Sequence, residues 1–307
     1  MNKIKKEIYN LAREYVKRRI TCNIGKVVEE EDKLICYVNK HDLKKNVYCY
    51  DIICNGVSES TKQLAETYKL NKPILYVFNG IDFKKDYVRI YGYNNCEIVI
   101  KDCNFGMGLN INVDGKCTIE NNEFKSIYDW LNIYANNLTI KNMHIDNYYR
   151  LVGKHLLISL GADDNLSIID SEIGKLNTRT NVNMTAANKI VIANSIIAGD
   201  VISCESKRFA PYGNTKLLAN ESALIKASQF NPININAPLI TLNGNIFDGK
   251  DEPIMLRQLT DSLSLKRLEV LHLLKQLSKK CNDINEYKIN RYSEKVNNHT
   301  IKKTLTK

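Results

Sequence analysis

Two stretches of the 307-residue chain concentrate the side chains that can do chemistry. The first, HIDNYYRLVGKHLLISLGADDN, holds His144, Asp146, Arg150, Lys154, His155, Asp163 and Asp164. Carboxylates of this kind can act as acid and base in glycoside cleavage, and Arg150 or Lys154 can neutralise a uronate during β-elimination. The spacing alone places no two of these groups on one side, and solvated loop charges fit the same residues. Asp163 and Asp164 equally open a turn, and His144 beside apolar Ile145 reads as facing solvent. The second stretch, CESKRFAPYGNTKLLAN, gathers Lys207, Arg208, Phe209 and Tyr212. A cation beside an aromatic ring can contact a sugar, a peptide or a base. Pro211 and Gly213 mark this stretch as a loop, where contacts are commonly made. Trp130 can stack on a carbohydrate, but beside LNIY it reads as packing at a strand edge.

Other chemistries leave no trace. His41, His144, His155, His272 and His299 are scattered, without an HExxH pair or a His/Cys quartet. There is no GxSxG elbow, phosphate-cradling Gly-rich loop or dinucleotide fingerprint, so no catalytic residue, metal ligand or cofactor is assigned. The nine cysteines form no CxxC pair and no scaffold spacing, which suits reduced, buried thiols in a cytoplasmic protein. The first segment is charged throughout, unlike a signal peptide, and no run of 18 apolar residues suggests a membrane span. The net charge of +10 lies at the ends. Residues 1–20 carry seven basic and two acidic side chains, residues 251–307 carry twelve and seven, and the remainder balances at 25 of each. Attraction to a polyanion would then work through the termini rather than along the middle.

What must position the candidate groups is a repeat. EIVIKDCNF, CTIENNEF, LTIKNMHI, LSIIDSEI, IVIANSII, ALIKASQF and ITLNGNIF align on Ile100, Ile119, Ile140, Ile168, Ile192, Ile225 and Leu242. Each places another hydrophobic residue five positions later, an odd interval that requires a bend between two inward-facing positions. Small or polar residues fill that bend, from Asp102 and Cys103 in the first copy to Gly244 and Asn245 in the last. The 38 asparagines suit such turns, because Asn tolerates left-handed backbone and bonds nearby main chain. Alternating strands such as LNINV, LNIY, VNM and ININ fall between copies, with one face apolar and the other polar. One rung cannot shelter its own apolar face; stacked rungs can.

The pattern predicts an all-β solenoid, a single-stranded parallel β-helix over residues 88–250, with helical elements at both ends. Residues 1–20 read as an amphipathic helix with Ile4, Ile8, Leu11, Ala12, Tyr15 and Val16 inward, covering a solenoid end. Residues 21–87 read as a mixed α/β segment or as first solenoid turns, with strands at Leu34–Val38, Val47–Cys54 and Ile74–Phe78 and a helix in SESTKQLAETYKL. Residues 251–296 read as a helical hairpin beginning at Met255 and Leu256, and 297–307 as a basic tail.

The segments VIKDCNF, TIENNEF, TIKNMHI and VIANSII resemble the rung motif of the right-handed parallel β-helix superfamily, known from pectate-lyase-like folds. The resemblance covers about half the chain and implies architecture; that superfamily spans polysaccharide lyases and hydrolases, adhesins, tailspikes and assembly proteins. The stretch LLKQLSKKCNDINEYKINRYSEK resembles the helices that follow β-solenoid or pentapeptide regions in some bacterial proteins. The functional expectation is a non-enzymatic scaffold that recognises a protein partner, or itself, through solenoid loops. Arg150, Lys154, His155, Asp163, Asp164, Lys207, Arg208, Phe209 and Tyr212 are its candidate surface. The alternatives are a carbohydrate-active lyase or hydrolase and, third, nucleic-acid binding through the basic ends.

Overall fold

Alternation decides which way each residue faces, and here it holds over nearly every strand. The structure is a computed structural model that describes residues 3–20, 25–47, 49–57, 63, 66–67, 72–125, 130–146, 156–231, 233–248 and 254–256. Over these residues the chain winds as a right-handed parallel β-solenoid with three faces, which we name sheets A, B and C. Each rung contributes one strand segment per sheet, and equivalent positions stack in register.

In sheet A one inward row runs Val38, Phe78, Ile100, Ile119, Ile140, Ile168, Ile192 and Pro211. In sheet B the matching row is Ile52, Ile90, Ile111, Ile133, Leu160, Met184, Cys204, Ile225 and Leu242. Sheet C is short. Its inward row begins with Phe83, Phe105 and Phe124, whose rings stack at 5.4 and 5.2 Å, and continues through Ile145, Ile173, Ile197, Leu217 and Ile235. Nearly all of these residues are fully excluded from solvent, as stacked rungs require.

The bend between sheets A and C explains the five-residue interval. Its first residue is left-handed in five successive rungs: Asp102, Asn121, Asn142, Asp170 and Asn194 have φ between 46° and 54°. Asn and Asp are tolerated there because a short polar side chain bonds locally. The side chains also bond along the stack, Asn142 Nδ2 to Asn121 Oδ1 at 2.9 Å and Asn121 Nδ2 to Asp102 Oδ1 at 3.2 Å. The second bend residue points inward and is buried. Asn122 Oδ1 accepts the Cys103 N–H at 2.7 Å, Ser171 Oγ accepts that of Met143 and Ser195 Oγ that of Ser171, both at 3.0 Å. Each thus satisfies a main-chain donor of the preceding rung that water cannot reach.

The ends are closed by antiparallel pairs. At the first end Gly25–Glu29 pairs with Leu34–Val38, the opening parallel strand of sheet A, and the helix α1 (Lys3–Ile20) packs nearby. Arg13 of α1 is ion-paired with Glu29, and Ala12 is buried with Tyr9 beside it. Ile8 and Leu11, expected on the packing face, are 44% and 72% exposed, so the helix meets the stack along a narrow line through Tyr9 and Ala12. Residues 25–87 supply complete rung segments: Leu34–Val38 pairs in parallel with Ile74–Asn79, and Cys49–Asn55 with Tyr87–Tyr93. Most of the helix expected in SESTKQLAETYKL lies outside the described residues.

Four expectations are corrected. Ile225 and Leu242 belong to sheet B, not to the sheet A row of Ile192, whose register partner is Pro211. The stretch CESKRFAPY is strand, part of Ile196–Tyr212, and not a loop. Pro211 is tolerated because pairing with the next strand stops at Phe209 and Phe230, leaving no described strand on the side where its missing N–H would be needed. Finally, ITLNGNIF is an antiparallel hairpin: Asn243 and Gly244 both have positive φ, 48° and 84°, which suits a two-residue hairpin turn. Residues Ile254–Leu256 are likewise a strand, antiparallel to Ile233–Asn236, where a helix was expected to begin. The remainder of the expected helical hairpin and basic tail lies outside the described residues.

Candidate binding groove

Positions between the inward rows of sheet B face outward, and one such row runs Ile53, Tyr91, Asn112, Tyr134, Gly161, Thr185, Glu205 and Lys226 in register. Gly161 interrupts it for a physical reason. A Cβ there would lie 2.5 Å from Tyr134 Cδ2 and 2.9 Å from Cε2, so only glycine lets the Tyr134 ring lie across the neighbouring rung. The ring's hydroxyl thereby reaches Asp163 and donates to its Oδ1. This bond, chiefly, holds the Tyr134 phenol above its ordinary pKa.

Asp163 and Asp164 stand at the corner where the chain passes from sheet B to sheet A. Ala162 is in register with Ala135 and Asn165 with Asn137, so two aspartates occupy a corner that holds only Asn136 in the preceding rung. Asp164 turns to its own neighbour, accepting from Asn165 Nδ2 at 2.7 Å.

Below Tyr134 the outer face is recessed into a groove of about 1020 Å³. Thr185, Ser203 and Leu224 line it with Glu205 and Lys226, while Asp163, Lys207 and Ser228 line it from the sheet A corner and Asn243 with Gly244 from the terminal hairpin. Glu205 Oε1 is 2.5 Å from Lys226 Nζ, both side chains more than half exposed, so this pair sets local charge more than stability. Leu224 is 45% exposed and supplies an apolar patch beside the ion pair.

Of the sequence candidates, Asp163 and Lys207 are brought into this groove and Asp164 adjoins it. Arg208 and Tyr212 lie on the outer face of sheet A. Phe209 is withdrawn as a surface residue: it is an inward position in register with Ile190 and fully buried, as that register requires once the segment is strand. Arg150, Lys154 and His155 lie outside the described residues. Tyr134, Thr185, Glu205, Leu224 and Lys226 were missed, although their signal was present as the outward positions of LNIYA, VNMTA, ISCES and LIKAS. Trp130 begins a strand beside Tyr87, ring centroids 6.0 Å apart, and is half-buried.

Among the described residues, no three His, Cys, Asp or Glu side chains converge so as to hold a metal ion, and no helix is long and apolar enough to cross a membrane. Six of the described cysteines are buried and unpaired. Burial pushes Cys36 and Cys103 up to about 11 and Cys96, Cys117 and Cys204 up to about 12, far from nucleophilic character. Comparison of the chain with protein-family models, curated proteins and solved structures finds no match.

Proposed function

We propose that the protein is a non-enzymatic recognition scaffold that seats a protein partner in the groove on the outer face of sheet B. The observation supporting this reading is the groove itself, a recess of about 1020 Å³ in a rigid strand face whose lining combines apolar anchors with charge. Leu224 and Tyr134 offer buriable apolar area, and Asp163, Glu205, Lys207 and Lys226 offer a charged rim, the composition of a modest protein interface. Both carboxylates are already engaged, Asp163 by the Tyr134 hydroxyl and Glu205 by Lys226, as suits recognition more than proton transfer. The recognition surface in this reading is made of strands and corners, not of the long loops expected from the sequence.

Cross-linking and mass spectrometry of the chain in extract of its source cells, beside Leu224→Asp and Tyr134→Ala, tests the reading. The expected result is a partner joined at Lys207 and Lys226 in the wild type and lost in both variants. A partner retained by both would move the interface elsewhere.

A second reading is carbohydrate cleavage, and one observation favours it. Asp163 and Glu205 line the same groove from strands two rungs apart, and two carboxylates on one groove can serve as acid and base. The resemblance to pectate-lyase-like proteins belongs with this reading. Release of reducing or unsaturated sugar from a neutral or uronate-containing polysaccharide, abolished by Asp163→Asn, decides for it and against the scaffold.

A further inference from the structure

The outer face of sheet B has two unlike halves. Counting its strands from Cys49–Asn55 as the first, the first four end with the opening of Trp130–Lys141 and carry side chains that stand out from the sheet. Ile53, Tyr93 and Tyr134 are exposed, and the Tyr91 and Tyr93 rings lie nearly parallel with centroids 6.5 Å apart. The next four, ending with Lys216–Phe230, are recessed as the groove, where Thr185 and Ser203 are short. At the midline Trp130 is in register with exposed Leu157. The three outward rows of these eight strands carry four charged side chains, in two ion pairs. Asp51 and Arg89 pair on the first two strands, Glu205 and Lys226 on the seventh and eighth. The face is therefore neutral, and each pair reads acid then base along the stack.

That order makes the face complementary to itself. A two-fold axis lying along the strand direction, midway between the fourth and fifth strands, sets the first strand of one copy against the eighth of another and the second against the seventh, with each row facing its own row. Asp51 then comes opposite Leu224, two residues from Lys226, and Arg89 opposite Ser203, two residues from Glu205. Acid meets base at both contacts, and the symmetry repeats them. Tyr91 shares a row with Glu205, so Tyr93 comes opposite Lys207, a cation over a ring. Beside the axis Trp130 faces Leu157, an apolar centre of the kind that anchors interfaces. The corner charges keep the match: Asp114 comes opposite Asn188, and Asp163 with Asp164 opposite Asn136. At the other corner Arg179 comes opposite Gly106 and Glu221 beside Val47, both uncharged.

The size is also that of an interface. Asp51 to Lys226 spans seven strand spacings, about 34 Å, and a strand such as Cys49–Asn55 is about 20 Å wide, a flat footprint of about 700 Å². Stable interfaces take roughly 600–1,000 Å² from each partner. We propose that the protein seated in the sheet B groove is a second copy of this chain, packed face to face about this two-fold. The proposal rests on the reading of the groove as a protein-binding site and adds its occupant and orientation. The aromatic half of each copy fills the recessed half of the other, so one dimer closes both grooves.

The test is sedimentation equilibrium of the purified full chain between about 1 and 100 μM, beside the variants Arg89→Glu and Glu205→Arg. The expected wild-type species has twice the 35.2 kDa mass of one chain. Each variant alone should raise the dimer Kd on the order of 10-fold or more, because it sets like charges against each other twice per dimer. An equimolar mixture of the two variants should dimerise again, since a heterodimer restores opposite charges at both contacts. A role for either residue within its own chain would give no such rescue, and circular dichroism confirms that each variant keeps its rungs. A monomeric wild type, a dimer indifferent to both substitutions, or a mixture that stays monomeric overturns the proposal. A monomeric wild type that still cross-links to a different protein through Lys226 overturns the second copy and leaves the groove reading standing. A dimer that survives Leu224→Asp as well as both charge reversals takes the proposal and the groove reading down together.

Discussion

Removing the Asn122 side chain tests whether the buried bend ladder holds the rungs together. Asn122 is 1% exposed and makes three bonds: it accepts the Cys103 N–H at 2.7 Å and donates to the carbonyls of Ile100 and Glu120 at 2.9 and 3.0 Å. In Asn122→Ala the Glu120 carbonyl keeps the Asp102 N–H at 3.1 Å, so the cost falls on the Cys103 amide, which is left buried without this acceptor. An orphaned buried donor costs about 1–3 kcal/mol, and with the two lost side-chain bonds we expect about 2–4 kcal/mol. Asn122→Ser is the control. Ser171 and Ser195 occupy the equivalent position, accept the previous rung's N–H and donate to the carbonyls of Ile169 and Ala193 at 2.7 Å, so a serine should recover all but about 1 kcal/mol. Urea unfolding gives the ranking, and exchange of the Cys103 amide gives the local effect without assuming a two-state solenoid. Equal midpoints for the alanine and serine variants, with an unchanged Cys103 exchange rate, would refute the role assigned to this ladder.

Gly213→Ala should be more costly than Gly80→Ala. Both glycines are left-handed, φ +60° and +67°, which costs an L-residue about 1–2 kcal/mol, but only at Gly213 would the new Cβ strike a neighbour, Asn194 Oδ1; thermal unfolding checks the order. Tyr134→Phe, losing its bond to Asp163 at a 38% exposed ring, should leave stability within about 1 kcal/mol while weakening any ligand of the sheet B groove, measured by calorimetry. Alkylation at pH 8 followed by peptide mapping should modify half-buried Cys49 before Cys36, Cys54, Cys96, Cys103, Cys117 and Cys204. Because burial raises Cys117 and Cys204 from 9.0 to about 12, their contribution to stability is fully present below pH 9 and is lost as pH rises from 9 towards 12; a urea midpoint that does not fall over that window contradicts it.

The bends were legible because their chemistry is local. A residue that must be left-handed followed by one that must be small and polar leaves a signature in Asp102–Cys103, Asn121–Asn122, Asp170–Ser171 and Asn194–Ser195. The sixth bend uses Gly213 for the same conformation and Thr215 for the buried acceptor-bonding role, donating to Ile192 O at 3.0 Å and Tyr212 O at 2.6 Å, so its spelling no longer matches. That is why ALIKASQF was aligned with the wrong sheet: its alternating strand fits either face, and only the bend tells them apart. Asp163 and Lys207 were found by their charge. Their companions were not, because Tyr134 reaches Asp163 only across Gly161, a contact between residues 29 apart that depends on rung register.

Register also explains where a binding surface can arise in such a fold. The bend from sheet A to sheet C is constrained from both sides, by left-handed backbone and by a buried acceptor, and so hardly varies between rungs. The corner from sheet B to sheet A carries no such constraint and changes length from rung to rung: Asp114 and Gly115, then Asn136, then Asp163 and Asp164, then Ala187 and Asn188, then Lys207. Extra residues there project beyond the sheet without disturbing the core rows. The groove begins where the two-residue corner of Asp163 and Asp164 overhangs the Gly161 gap, and its far side is reached where the stack gives way to the Asn243–Gly244 hairpin. Moving one residue into the Asn136 corner should therefore reshape the groove's upper wall while leaving the inward rows of Ile133 and Leu138 in place, since neither row is continuous through the corner.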